Sequence, residues 1–314
     1  MYHIKTAEAA KGKWRGILLE FGIPEKLLIN KHGPCPLCGG KDRFRFDNNM
    51  GSGSYICGQC GAGDGMALAK AFTGMEFREL ADKIDRIVNN VKIDSSSSIS
   101  TPISDEDRRL KLRAVYAATS QVVKGDLADK YLRSRGLGEN EYPKSLRLGS
   151  AIQDGDGGLR PCMVATVQDG SGKPVSLHRT FLRPDGEAKA EMIAPRKLMP
   201  GSLPDGACIK LSDGETEIHL GIAEGIETAM SAGRLFEIPV WAVLNAVMME
   251  KWKPPVGCER VAIFGDNDKN FRGQMAAYTL ANRLALVGLD VEVSIPPETG
   301  TDWNDSLAKE RTSL

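Results

Sequence analysis

The spacing of apolar positions changes along this chain, and each change predicts a different kind of element. Between residues 41 and 46, Lys41, Arg43 and Arg45 alternate with Phe44 and Phe46. A period of two is that of a strand, here with a cationic face and an aromatic one. Amphipathic runs at 66–71 and 76–89 read as helices. The pattern then stops. Lys92 to Ser104, with Ser95–Ser98 and Ser100-Thr-Pro102, has too little apolar surface to bury a core and reads as a flexible linker. Helical spacing returns over 105–133 (Leu110, Leu112, Val115, Ala118, Val122), with Gly136 as its stop. From Leu146 to Leu211 short strands are separated by Gly/Asp turns. Met163–Val167 and Val175–Leu182 flank Asp169-Gly-Ser-Gly172, a hairpin signal.

The last third reads differently again. Strands at Ile218–Ala223, Val240–Leu244, Val261–Phe264 and Val291–Ile295 are interleaved with helices at Glu227–Phe236 and Gly273–Val287, the second closed by Gly288. Such alternation implies a mostly parallel sheet with helices on its faces. The expected architecture is multidomain, α+β and α/β. It comprises an N-terminal helix and small metal module over 1–91, a linker over 92–104, a helical and β subdomain over 105–210, and a Rossmann-like domain over 211–314.

Composition adds one correction to a first impression. The 314 residues carry 41 basic and 41 acidic side chains, a formal charge of zero. With 41% hydrophobic and 26% charged residues, the chain is ordinary globular material, not collagen, coiled coil or wholesale disorder. Yet the charge is unevenly spread. Residues 1–90 hold 13 basic and 10 acidic groups, residues 91–210 hold 19 and 15, and residues 211–314 hold 9 and 16. The front two-thirds is basic and the last third acidic, so neutrality does not exclude a polyanionic partner. No run of 18 apolar residues is present, and Met1 to Glu20 is charged throughout. Neither a membrane span nor a signal peptide is expected, and the expected location is the cytoplasm.

Seven cysteines in such a chain argue against disulfides. Four of them form two C-x-x-C steps, Cys35–Cys38 and Cys57–Cys60, with 18 residues between. Each step points two thiolates at one metal, and the spacer suits a hairpin, so a closed structural zinc site is expected. Cys162, Cys208 and Cys258 stand alone among apolar residues and read as buried small hydrophobes. The Lys41–Phe46 strand has two readings: cations for phosphates backed by rings that pack or stack on bases, or a solvated face over an aromatic underside. Further cations (Arg160, His178, Arg179, Arg183, Lys189, Arg196, Lys197, Lys210) collect in the β-rich middle, where a phosphate-handling surface is expected. His178 by itself reads as a packing residue.

The chemistry is expected in the acidic third. Glu224-Gly225 ends one strand, and Asp266-Asn-Asp268 ends another. In open α/β sheets ligands bind at the carboxyl ends of strands. Carboxylates leaving a buried strand are the hard oxygen donors that Mg²⁺ takes, together with substrate phosphates. Asp302-Trp-Asn-Asp305 follows the next strand and could complete the set. Gly172-Lys173 is followed by Pro174 and lacks a glycine five residues earlier, so it is not a Walker loop, and no built-in helicase motor is expected.

In order, Gly33-Pro-Cys-Pro-Leu-Cys-Gly-Gly-Lys-Asp-Arg to Phe46, Leu177-His-Arg-Thr-Phe181, Ala194-Pro-Arg-Lys197, Ile222-Ala-Glu-Gly-Ile-Glu-Thr-Ala229, Asp266-x-Asp268 and Asp302-Trp-Asn-Asp305 resemble the zinc-ribbon/Toprim DNA primases of phages and plasmids, relatives of the bacterial replicative primase. The resemblance spans nearly the whole chain. It implies template-directed synthesis of short RNA primers on single-stranded DNA from nucleoside triphosphates, in the cytoplasm of a bacterial host, with any helicase a separate partner. It implies Zn²⁺ on Cys35, Cys38, Cys57 and Cys60, and Mg²⁺ or Mn²⁺ on Glu224, Asp266 and Asp268, with Asp302 and Asp305 accessory. Glu224 would be the acid/base or metal-facing carboxylate. Lys41, Arg43, Arg45, Arg179, Arg183, Arg196 and Lys197 would handle template or nucleotide. The Asn245-Ala-Val247 turn departs from relatives, which tend to a Ser/Gly-rich loop there. A Toprim nuclease or topoisomerase-like enzyme and a non-catalytic DNA-binding adaptor are the competing readings.

Overall fold

The spacer between the two cysteine pairs, expected to suit a hairpin, forms part of a small antiparallel sheet in the computed structural model. The structure describes residues 3–91, 94, 104–155, 157–192, 194–212 and 218–312; apart from Asp94 and Ser104, the expected Ser-rich linker lies outside them. The chain divides into two units, Met1–Ile103 and Ser104–Leu314.

The first unit opens with helices α1 (His3–Ala10) and α2 (Trp14–Glu20). Strands β1 (Phe44–Phe46), β2 (Tyr55–Cys57) and β3 (Gly61–Gly63) form one antiparallel sheet in that order, with Phe44 opposite Cys57 and Tyr55 opposite Gly63. Helices α3 (Gly65–Thr73) and α4 (Phe77–Ile87) follow. Asp64 caps α3 by accepting from the Ala67 amide, and Gly74 ends it in the left-handed region, where glycine is at no disadvantage. Trp14, Ile17, Leu18, Phe44, Phe46, Leu68, Leu80 and Ile84 fill the core. Both rings of β1 are therefore packing residues, which leaves no ring of that strand free to stack on a base.

The second unit begins with α5 (Asp105–Ala117), β4 (Ser120–Gln121) and α6 (Leu127–Ser134). The continuous helix expected over 105–133 is thus two helices and a short strand. Ser120 and Gln121 pair with Leu148 and Arg147, and Asp126 starts a new helix by accepting from the amides of Val123 and Asp129. Strands β5 (Leu146–Gln153), β6 (Leu159–Gln168), β7 (Pro174–Phe181) and β8 (Arg196–Leu198) extend β4 into an antiparallel meander, five strands in chain order.

Next come β9 (His219–Ala223), α7 (Ile226–Phe236), β10 (Val240–Ala242), α8 (Ala246–Lys251), β11 (Arg260–Phe264), α9 (Arg272–Ala285), β12 (Asp290–Ser294) and α10 (Trp303–Thr312). Their four strands are parallel, in the order β10-β9-β11-β12. The chain winds outward from β9 to one edge, then crosses to β11 and winds to the other. The point where the winding reverses lies between β9 and β11, where such sheets open a crevice for ligands at their carboxyl ends. One core joins the two sheets, from Tyr131, Met163 and Val167 to Ile222, Trp252, Phe264 and Leu280. Fully burying side chains of this size contributes roughly 1.5–3 kcal/mol each. Cys162, Cys208 and Cys258 are buried, as their apolar neighbours predict. The Asn245-Ala-Val247 segment is no open loop: Asn245 caps α8 by accepting from the Met248 amide.

Candidate functional site

Two clusters of ligand-type side chains stand out, and they are built in opposite ways. In the first unit the Cys35–Cys38 step is folded by the Cys35 amide donating to the Gly40 carbonyl and the Gly39 amide donating back to the Cys35 carbonyl. The Leu37 amide points at the Cys35 sulfur and the Gln59 amide at the Cys57 sulfur, both at 3.4 Å. All four Sγ atoms lie within 4.8 Å of one another, with Cys35–Cys60 and Cys38–Cys57 at 3.8 Å. A tetrahedron with Zn–S bonds of about 2.3 Å has edges of about 3.8 Å. The set therefore fits zinc without rearrangement, with no position left open for a substrate.

Of the cations beside it, Lys41 is exposed. Arg43 donates to Gln59 and lies where a side chain on Gly40 would stand. Arg45 pairs with Asp47 at 3.6 Å. The cationic face expected from the alternation is present, with Arg43 and Arg45 already engaged locally.

The second cluster sits at the winding reversal of the parallel sheet. Glu224 follows β9, Asp266 and Asp268 follow β11, and Asp302 stands just before α10. Gly273 brings α9 up against Asp266: a Cβ there would lie 2.5 Å from the Asp266 carbonyl oxygen. Asp266 is half-buried, and its Oδ1, shielded from solvent, has no hydrogen-bond partner. Burial first, then the negative charges of Glu224, Asp302 and Asp268, hold its carboxyl well above the ordinary carboxylate range. An unpartnered, buried oxygen among like charges is what a divalent cation relieves, so the residues fit a metal. Among the described residues these carboxylates do not bring three ligand atoms within 4.8 Å of one another, as the cysteines do. That openness suits Mg²⁺, which keeps waters and takes only one or two carboxylates beside phosphates.

The remaining acidic residues separate by their bonds. Asp268 accepts from the Gly273 amide at 3.0 Å, at the start of α9. Asp305 accepts from the Asp302 amide at 3.1 Å, while Asp302 Oδ1 accepts from the amides of Asn304 and Asp305. The two aspartates form a reciprocal cap of α10. Asp305 thus turns toward the helix end, and Asp302 is the one whose charge bears on Asp266.

Behind the carboxylates lies a layer that sequence reasoning largely missed. Glu227, in the first turn of α7, is 6% exposed. Its Oε1 accepts the Tyr131 hydroxyl and pairs with Lys189 Nζ at 3.1 Å. Burial opposes its charge, but Lys189, then Arg196 and the Tyr131 hydroxyl, more than offset this and hold the carboxyl far below its usual range. Arg196 Nη1 reaches the Gly225 side of the site, 4.0 Å from where a Cβ on that glycine would stand. It retains solvent exposure yet is crowded by protein, and the charges of Glu227, Glu224 and Asp266 overcome that crowding and raise its pKa. His178 lies beside Arg196, Lys189 and Glu227, with its Nδ1 buried and unpartnered. Burial, then the positive Arg196, pulls its imidazole down to about 4. It is a packing residue, as expected, but one ring nitrogen is unsatisfied. A glutamate amid Ile226, Thr228 and Ala229 was the one sequence signal for this layer; nothing local distinguishes Tyr131.

The strand registers divide the expected basic residues. Thr180 is opposite Arg196 and Arg179 opposite Lys197. Successive side chains point to opposite faces, so Arg196 and His178 share the face toward the carboxylates, and Arg179 and Lys197 share the other. There Arg179 stacks on Phe181, 5.5 Å from the ring centre, and donates to the Gln153 carbonyl, and Lys197 donates to the Asp154 carbonyl at 2.7 Å. Arg183 pairs with Asp185 at 2.7 Å on the surface. Of these cations, only Arg196 is brought to the acidic cluster.

Three segments of the chain match known protein families. Residues 30–66 match the zinc-binding domain of primase-helicase, residues 106–210 a domain of unknown function, and residues 219–312 the Toprim domain. Among solved structures, the zinc-binding and RNA polymerase domains of the Aquifex aeolicus primase are 16% identical over 98% of this chain and 83% of that one, with a TM-score of 0.41. The primase fragment of the bacteriophage T7 primase-helicase is 16% identical over 90% of this chain and 98% of that one, with a TM-score of 0.40. No helix among the described residues is long and apolar enough to cross a membrane.

Proposed function

We propose, on the premise that a chain joining the zinc-binding domain of primase-helicases to a Toprim domain is a DNA primase, that it makes short RNA primers on single-stranded DNA at the Glu224–Asp266 crevice. The observation that carries this reading is the buried, unpartnered Asp266 oxygen facing Glu224, Asp302 and Asp268 where the sheet reverses.

In nucleotidyl transfer a 3′-hydroxyl attacks the α-phosphate of a nucleoside triphosphate; the new P–O bond forms as the bond to pyrophosphate breaks, and the hydroxyl gives up its proton to Glu224 or to water. Both reactants are polyanions or join to them, so carboxylates alone would repel them. Glu224, Asp266 and Asp268, with Asp302 beside them, would hold Mg²⁺ or Mn²⁺. When bound, such an ion neutralises phosphate charge and lowers the pKa of the attacking hydroxyl. The protein's own part is placement. Arg196, on the carboxylate side of β8, meets the triphosphate. Glu227 anchors Lys189 and keeps this cationic wall at fixed distance from the acidic one, so that charges of both signs face the substrate without collapsing onto each other. The zinc module, with Lys41, Arg43 and Arg45 on one side of β1, engages the single-stranded template.

Single-stranded DNA of several sequences, labelled nucleoside triphosphates and Mg²⁺ provide the test. Short RNA products from the wild-type chain are expected. Nicked DNA without RNA would move the reading to a Toprim nuclease, and template binding without any chemistry would move it to an adaptor.

A further inference from the structure

Phe271 stands between Asp268 and α9 and breaks two rules at once. Its side chain is 70% exposed, although a phenyl ring ordinarily gains by burial. Its φ of 60° and ψ of 15° place it in the left-handed region, where a non-glycine residue is strained. Nothing in the packing of the domain demands either feature, because the ring is not part of a core cluster. Local bonds nevertheless hold it in place. Its amide donates to the Asp268 carbonyl at 3.0 Å, its carbonyl accepts from Met275, Asn270 accepts from the Arg272 amide, and Gln274 donates to both Asn267 and Asp268. Strain that the surroundings over-determine clusters at binding sites.

Met50, in the first unit, is also exposed (54%) with a left-handed backbone (φ 52°), but it does not adjoin the carboxylates in sequence; Val256, Leu286 and Val287 are more exposed, but none has a left-handed backbone. Phe271 also continues into a stripe: Met275 and Tyr278, four and seven residues on along α9, are 54% and 59% exposed, while Gly273, Ala276, Ala277, Leu280 and Leu284 bury the opposite face. The charge on this helix is one-sided. Its 14 residues contain Arg272 and Arg283 and no acidic side chain; Arg272 pairs with Glu250 and Arg283 donates to the Glu250 and Trp252 carbonyls, so the exposed cation beside Phe271 is Lys269, just before the helix. An exposed aromatic ring flanked by the exposed Lys269, three residues from Asp268, is complementary to one chemistry in particular: a flat, apolar base on a polyanionic backbone.

We propose that Phe271 is a nucleobase-stacking platform, which holds the base of the bound nucleotide or strand beside the acidic cluster. This rests on the primase reading of that site, but its test does not. Full-length protein is compared with Phe271→Asn, which removes the ring and tolerates a left-handed backbone, and with Phe271→Tyr, which keeps the ring. Fluorescence anisotropy with labelled oligo(dT) and competition by ATP or GTP, both with Mg²⁺, report the two sources of the base separately. Phe271→Asn is expected to lose about 5- to 100-fold in affinity for the strand, the nucleotide or both, the range of base–aromatic stacking, while its Tm stays the same or rises. Phe271→Tyr is expected to stay within about twofold of wild type. Undiminished affinity of Phe271→Asn for both ligands would overturn the proposal. So would loss of affinity in both variants alike, or a change of molar mass in light scattering without a change in binding, which would make the stripe a face between copies of the chain. A wild-type protein that binds as expected yet makes no RNA would overturn the primase reading and leave the platform standing.

Discussion

The two metal-type sites of this chain differ in what holds them together. The four sulfurs converge on one point before any metal is considered, through amide bonds to sulfur and a backbone ladder between β1 and β2. The carboxylates converge on a crevice but stay apart, because each raises the cost of charging the next. A closed set stores its metal as folding energy; an open set leaves room and unspent charge for a substrate. The difference predicts opposite responses to the same kind of injury.

The largest effect is expected in the first unit. Zinc in four-cysteine sites carries about 10–16 kcal/mol of apparent binding energy that doubles as folding energy. Cys57→Ser should therefore abolish the roughly one equivalent of zinc and unfold the 30–66 segment, read by metal analysis and by loss of amide protection there. Retention of full zinc by that variant would refute a four-thiolate site.

Damage to the carboxylates should run the other way. Asp266→Asn removes a half-buried charge among like charges, so the metal-free protein should gain stability. About 1 kcal/mol would raise Tm by roughly 2–4 °C for a unit of this size, while activity should fall at least about 100-fold. A lowered Tm would contradict the repulsion on which this site's reading depends.

Intermediate in kind is the layer behind the site, where the effect falls on stability rather than on chemistry. Glu227→Gln leaves Lys189 without its counter-charge. Complete burial of such an orphan costs about 3–5 kcal/mol, and the 29% exposure of Lys189 should bring the loss to about 2–3 kcal/mol in urea unfolding. Adding Lys189→Met should restore part of it. The pH dependence gives the finest test. The unfolded chain protonates His178 below about 6.5, whereas the folded one keeps it neutral down to about 4. The unfolded state therefore binds more protons in that window, and stability must fall as pH drops through it. Replacing His178 by Gln should flatten this slope; an unchanged slope would assign it to other groups.

These contrasts also explain what the sequence could and could not reveal. Cysteine spacing is local, so Cys35 to Cys60 announced a metal site directly. The strand-ending Glu224, Asp266 and Asp268 were legible because parallel strands gather their carboxyl ends on one edge. Pairing across strands is not local: which face Arg179 and Arg196 occupy depends on the register of β7 with β8, and the structure sends them to opposite sides of the sheet. Tyr131 meets Glu227 across 96 residues, and only the packed core brings them together. Asp302 and Asp305 could not be told apart until the start of α10 showed the two capping it reciprocally, with only Asp302 bearing its charge on Asp266. Phe271, an ordinary hydrophobe in the sequence, became informative only through its backbone angle and exposure.

Incorporation of labelled nucleoside monophosphate into RNA on single-stranded DNA, measured side by side for wild type and Asp266→Asn with Mg²⁺ present or chelated, tests the central claim most directly. The account predicts short RNA only from wild type with metal, while both proteins stay folded and keep their zinc. RNA synthesis by Asp266→Asn at the wild-type rate, or by wild type without divalent metal, would contradict it.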